Sequence, residues 1–185
     1  LVISENGSYE ITGTWKGSLE NASADAPKAA ICVADGVQAE LVLKDVSISI
    51  DQADTFALAV EDGASVTCSL SGSNLLNEGA DVGQKARLLL SGTGALDAGM
   101  IDGTGTFGLD ASFQGVARTQ EIICKKDTSG WNGILFEEAG TVYGTPILSQ
   151  NLTIDKGETL TISQNASLTV AKSVQVQNNG VVKNQ

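Results

Sequence analysis

The sequence predicts an all-β chain folded as a single-stranded parallel β-helix, and three observations carry that prediction. Apolar and polar residues alternate in short runs, turn dipeptides separate the runs, and one block of sequence recurs. The alternation is plain at Leu41, Leu43, Val46, Ile48 and Ile50, which gives a strand one buried and one open face. No window holds a 3.6-residue apolar stripe longer than two turns, and β-branched Val, Ile and Thr are plentiful where helix formers would be needed. A β-sandwich is the alternative, because short alternating strands and Gly-rich turns occur there too.

In chain order, the first informative element is the block Ala30–Ile48, AICVADGVQAELVLKDVSI. It aligns without a gap to Ala57–Leu75, ALAVEDGASVTCSLSGSNL, at an offset of 27. The Asp35-Gly36 turn falls on Asp62-Gly63, and Leu43 falls on Leu70. ARLLLSGTGAL gives a shorter third copy, with Leu90-Ser91-Gly92 matching Leu70-Ser71-Gly72 at an offset of 20, and GTGTFGLDASF a fourth. A strand that buries one face only when a neighbouring copy covers it is the unit of a stacked repeat protein. Residues 1–117 are therefore read as stacked coils.

Residues 118–146 break the pattern. TQEIICKKDTSGWNGILFEEAGTVYG carries two aromatics close to turn glycines, and it predicts a linker or side hairpin that Trp131 anchors to the stack. From 147 to 185 the period shortens to 8: Leu152, Leu160 and Leu168 coincide, as do Ile154, Ile162 and Val170. Three such strand-and-turn units, about 24 residues, make one triangular coil, so this part is expected to continue the stack with tighter corners. The chain opens on Leu without a basic, apolar leader and stops in mid-pattern at NNGVVKNQ. It is expected to be a piece of a longer protein that continues beyond Gln185.

Composition narrows the function. The 185 residues include 11 Lys and Arg against 22 Asp and Glu, a formal charge of −11. That balance disfavours nucleic acid and anionic membrane surfaces and points to cations or neutral polymers. The absence of His removes the commonest general base and zinc ligand, and with them every Ser-His-Asp and Cys-His site. No stretch approaches the roughly 18 apolar residues of a membrane span. Low charge density with much Ser, Thr, Asn and Gly suits a secreted or surface-attached protein. Cys32, Cys68 and Cys124 are odd in number and share no C-x-x-C spacing, which reads as small buried thiols, with a single disulfide or a reactive thiol as the other readings. Asn6, Asn21, Asn151 and Asn165 open sequon-like triplets that chance supplies in a chain of this composition.

A resemblance joins these features. GSYEITGTWKGSL, the two aligned blocks and GTGTFGLDAS, over roughly residues 1–115, resemble the extracellular carbohydrate-binding β-helix domain family of Firmicutes, typified by a clostridial pectin-binding protein. The segment from Gly130 to Val170 is similar to the tails of large surface proteins of gut Firmicutes. The resemblance implies a right-handed β-helix related in shape to pectate lyases, calcium sites, and binding to acidic plant polysaccharide. It carries over no ligand-contacting position.

The candidate site residues are acidic. Stacked turns lie about 4.8 Å apart, so Asp35 with Asp62, or Asp51 and Asp54 with Asp81, are expected to become neighbours. Hard oxygen ligands at that spacing suit Ca²⁺. The plainer reading is solvated turn aspartates hydrogen-bonding their own backbone. Trp15 is the candidate sugar-stacking residue, and equally a plug at the N-terminal end. A lyase needs Lys or Arg beside the metal, with Lys44, Lys85, Arg87 and Arg118 as the candidates, and no pairing at this level selects one; the chain is not expected to be an enzyme. Two functions follow: a monomeric extracellular or cell-surface module that binds a polysaccharide or a host or cell-surface glycan through Ca²⁺ bridges, or a non-catalytic structural and adhesive stalk segment.

Overall fold

The computed structural model describes residues 1–19, 28–52 and 54–185, so Asn21 lies outside the described residues. The described residues contain β-strands and no helix. The strands run β1 (Val2–Ile3), β2 (Gly7–Gly17), β3 (Ala29–Val33), β4 (Gln38–Ile50), β5 (Phe56–Val60), β6 (Ser65–Ser71) and β7 (Ser73–Leu76). Next come β8 (Ala80–Val82), β9 (Arg87–Gly92), β10 (Ala95–Gly103), β11 (Thr106–Leu109), β12 (Val116–Ile122) and β13 (Lys125–Lys126). The last eight are β14 (Gly133–Phe136), β15 (Gly140–Tyr143), β16 (Ile147–Leu148), β17 (Leu152–Ile154), β18 (Thr159–Ile162), β19 (Thr169–Val170), β20 (Val176–Asn178) and β21 (Val181–Asn184).

Seventeen of the strands form one sheet, parallel at every pairing but one. The pairings fall into three rows. In the first, Val2, Cys32, Ala59, Asp81 and Asp102 lie opposite one another in succession. In the second, Tyr9, Leu41, Cys68 and Leu90 do so, with Leu109 following. In the third, Ile48 follows Trp15, and Leu76, Ala98 and Thr119 continue the series. Parallel pairing of this extent sets aside the β-sandwich alternative, whose sheets are antiparallel.

The offset of 27 between the first two long repeats holds in register, Leu41 opposite Cys68 and Leu43 opposite Leu70. The next step is 22 and not 20: Cys68 pairs Leu90, and Leu70 pairs Gly92. The turn sets this register. The Ala64 N–H donates to the Glu61 carbonyl at 3.0 Å, and the Ala86 N–H donates to Gly83 in the same way, also at 3.0 Å, so the Gly83–Ala86 turn repeats the Glu61–Ala64 turn. The recurring Leu-Ser-Gly letters are a coincidence of even spacing. An even shift keeps the same face buried.

β4 shows how one strand serves two rows. Ala39, Leu41 and Leu43 are buried at odd positions, then Val46, Ile48 and Ile50 at even ones. The parity changes at Asp45, which has φ 51° and stands as an extra residue where β2 passes from Thr12 to Gly13. Asp tolerates this left-handed conformation better than most side chains. Its Oδ1 also accepts the Ser73 N–H at 3.0 Å from the next repeat.

Inward residues of all three rows, among them Val33, Leu41, Leu43 and Ile48, belong to one buried apolar cluster. Each fully buried Leu or Val contributes about 1.5–3 kcal/mol. All three cysteines are buried and free, in keeping with the reading of small buried thiols.

β12 runs without interruption through residues 117 and 118, where the repeat pattern of the letters ends. The predicted hairpin is β14–β15, the one antiparallel pair, with Phe136 opposite Gly140. Trp131 meets it edge-on: its ring lies 5.0 Å from Tyr143 and 6.1 Å from Phe107 of β11. Beyond the hairpin, β15, β18 and β21 pair in parallel, as do β16–β19 and β17–β20. Leu152 faces Val176 at an offset of 24, as three units of 8 require. This part reaches the preceding repeats through a reversal of chain direction, and it shares a second apolar cluster with Val116, Ile134 and Phe136.

Candidate functional site

The acidic turns come first, because the sequence singles them out. Asp35 and Asp62 stack as expected: the Gly36 N–H donates to the Asp62 carbonyl at 3.0 Å. One repeat on, the Gly63 N–H donates to the Gln84 carbonyl at 2.9 Å. The Asp62 carboxylate is committed to this stacking, since Oδ1 accepts the Gln84 N–H at 2.7 Å.

Asp81 behaves otherwise. Its register partners are Ala59 and Asp102, so neither Asp51 nor Asp54 stands opposite it. The step of 22 moves Asp81 away from both. Asp51 instead donates its N–H to Gly17 at 3.1 Å, Asp54 sits in a turn at φ 56°, and the adjacent Ile50 is held by Asn77. The acids that do come together are Asp62, Asp81 and Asp102. Burial pushes the Asp81 carboxyl above its ordinary value, and the charges of Asp102 and Asp62 push the same way. Asp102 Oδ1 accepts the Gly103 N–H at 2.6 Å. Among the described residues no group of three His, Cys, Asp or Glu side chains is arranged to hold a metal ion. The chain's own side chains therefore make no closed calcium cage there.

Trp15 is 37% exposed near the end of β2, opposite Ile48, and lines a groove of about 240 Å³ with Leu1, Ile11 and Ala30. One ring on an open strand is a contact surface, and no second aromatic joins it in the groove lining.

A cleft that the sequence does not reveal lies where the chain turns back. The reversal at β14–β15 brings the segment around 150–155 against the third row, and Gln150 Nε2 fixes it there by donating to the carbonyls of Gly72 at 3.1 Å and Thr93 at 2.9 Å. The cleft of about 300 Å³ is lined by Asn74, Asp97, Arg118, Asn151 and Asp155, with Leu96 and Leu152. Arg118 is its centre: the guanidinium lies 4.0 Å from the centroid of the Phe136 ring, donates to the Thr153 carbonyl at 2.5 Å and pairs with Glu158. A planar, permanently charged group held on three sides is a fixed donor array.

Two of the sequon-like asparagines, Asn6 and Asn151, have structural duties. Asn6 Oδ1 accepts the Gln38 N–H at 2.8 Å, and Asn151 Oδ1 accepts the Gln175 N–H at 2.9 Å. Comparison with protein-family models, curated proteins and solved structures found no match.

Proposed function

We propose that this chain is a non-catalytic, extracellular or cell-surface carbohydrate-binding module, built as a parallel β-helix and related to the Firmicutes family that its repeats resemble. The observation that carries the reading is the Arg118 cleft, a largely apolar groove on a parallel sheet into which Asp97, Asn151 and Asp155 bring polar groups beside a fixed guanidinium. Fixed polar groups over an apolar floor suit hydroxyl-rich ligands that must be both desolvated and oriented. The three pairing rows around one apolar cluster support the β-helix.

Calcium enters as a bridge. Asp81 and Asp102, opposite one another in the first row, would give a bridging ion one or two of the six to eight oxygens it takes, and an acidic polysaccharide the rest. Such a bridge offsets the repulsion that a polyuronate meets at the acidic faces of a protein of charge −11.

The test is thermal unfolding of the 185-residue chain in EDTA and in millimolar CaCl₂, with and without polygalacturonate or a neutral glycan, since a ligand of the native state alone raises Tm. A rise with glycan supports the module, and a larger rise with calcium supports the bridge. Indifference to every glycan and to the metal favours the stalk.

A further inference from the structure

A second groove, of about 600 Å³, lies at the corner between the first and second rows, and the charged side chains in its lining are two lysines. Lys85 and Lys125 flank it, Ile123 lies open beside it at 54% exposure, and its floor is the backbone of Gly103–Thr106. The bare floor is forced by packing. A Cβ on Gly103 would meet the Val82 carbonyl oxygen at 2.1 Å, and one on Gly105 would meet that of Gly83 at 2.5 Å. Among the described residues the ion pairs are Arg118–Glu158 and Lys126–Glu137, so neither Lys85 nor Lys125 is paired. Two unpaired ammonium groups on one groove stand out in a chain with twice as many acids as bases. Asp62, Asp81 and Asp102 border it on the first-row side, and Asp62 and Asp102 each turn one oxygen to a backbone N–H, of Gln84 and of Gly103.

Lys85 adds a second observation. The equivalent turn positions in the two preceding repeats are Gly36 at φ 69° and Gly63 at φ 70°, and Lys85 stands there at φ 60°. A lysine in the left-handed conformation that Gly36 and Gly63 adopt adds strain to the turn and sets its ammonium beside the groove. Register fixes the reach of the two lysines. Arg87 pairs Thr106 and Thr106 pairs Lys125, two strand spacings or about 10 Å in all, and Lys85 lies two residues before Arg87, so the two lysines stand somewhat more than about 10 Å apart at the backbone. Two linked sugar rings span such a distance.

We infer that the Lys85–Lys125 groove binds a segment of anionic polysaccharide directly, the two ammonium groups taking carboxylates of the polymer and Ile123 receiving the apolar face of a ring. This rests on the carbohydrate-binding reading and adds a metal-independent site to it. Charge-assisted contacts of this kind orient a carboxylate and weaken with salt.

The experiment is isothermal titration calorimetry of the 185-residue chain with oligogalacturonate in EDTA, beside its fully methyl-esterified, uncharged form. Lys85→Gly and Lys125→Gln are the variants. Lys85→Gly installs the residue that Gly36 and Gly63 already provide, so the fold is kept and a lost signal is not an unfolded protein. The acid form is expected to bind in EDTA and the ester not, with each substitution weakening binding about tenfold. Equal binding of acid and ester, or unchanged affinity in both variants, overturns the groove. Binding that requires calcium and survives both substitutions overturns it too, while leaving the carbohydrate-binding reading in place. No binding of either polymer in any buffer overturns both.

Discussion

Asn74 is the side chain whose loss is expected to reach furthest, because it ties three successive repeats together from a buried position. It is 3% exposed at the corner between the second and third rows. Its Oδ1 accepts the Val46 N–H at 3.0 Å, and its Nδ2 donates to the carbonyls of Ser71 and Ala95, each at 3.1 Å. Asn74→Ala removes all three bonds and leaves three backbone groups without partners. A net hydrogen bond is worth about 1 kcal/mol, and an orphaned buried group costs more than the bond it lost. The expected destabilisation is about 3 kcal/mol. At about 2–4 °C per kcal/mol for a chain of this size, the midpoint falls by about 6–12 °C. Thermal unfolding followed by far-UV circular dichroism measures it, with exposed Ser73→Ala as a control expected within about 0.5 kcal/mol of the parent. A fall of less than about 2 °C for Asn74→Ala would refute the claim that this amide organises the corner.

Two further predictions concern titration. The Asp81 carboxyl is raised by burial and by Asp102 and Asp62, so its favourable contribution is present in acid and lost as pH rises through the folded-state value. Asp81→Asn is therefore expected to raise Tm by about 1–3 °C near neutral pH and to shrink the Tm difference between about pH 7 and about pH 4; an unchanged pH profile argues against it. Burial pushes Cys68 up to about 12 and Cys32 and Cys124 up to about 11, each beyond easy ionisation. Ellman's reagent near pH 8 should label no thiol in the native protein and all three in denaturant, and rapid native labelling of any one contradicts its place in the structure.

The relation between sequence and structure is uneven for physical reasons. The 27-residue repeat was legible because the Asp-Gly turns and the alternation agree, and register follows from both. The step to the third copy misled because Leu-Ser-Gly recurs, whereas the hydrogen-bonded turn Gly83–Ala86 sets the spacing and its letters, GQKA, share only a final Ala with EDGA. Asp81 was visible as an acid, but its neighbours depend on that spacing. Lys85 was visible only as a candidate base, because its backbone conformation is set by analogy with Gly36 and Gly63 and has no signature of its own. The Arg118 cleft is a tertiary product. Nothing in the residues from 147 to 155 states that a reversal with three residues between Phe136 and Gly140 will lay them beside Asn74 and Asp97.

That reversal also bears on how the chain acquires its shape. Phe136 and Gly140 meet across three intervening residues, whereas the shortest parallel pairing, Val116 with Ile134, spans 18. Closing a short loop is fast, and long-range parallel pairing must absorb its closure entropy before any contact repays it. The hairpin is thus the expected nucleus, with ordering propagating outward in both directions, neighbour by neighbour, to the two termini. Pulse-labelled hydrogen exchange during refolding should find the Gly133–Tyr143 amides protected first and those of β2 and β21 last. Earliest protection in β4 and β6 would place the nucleus in the long repeats instead, and would make the hairpin a late closure between two independently grown stacks.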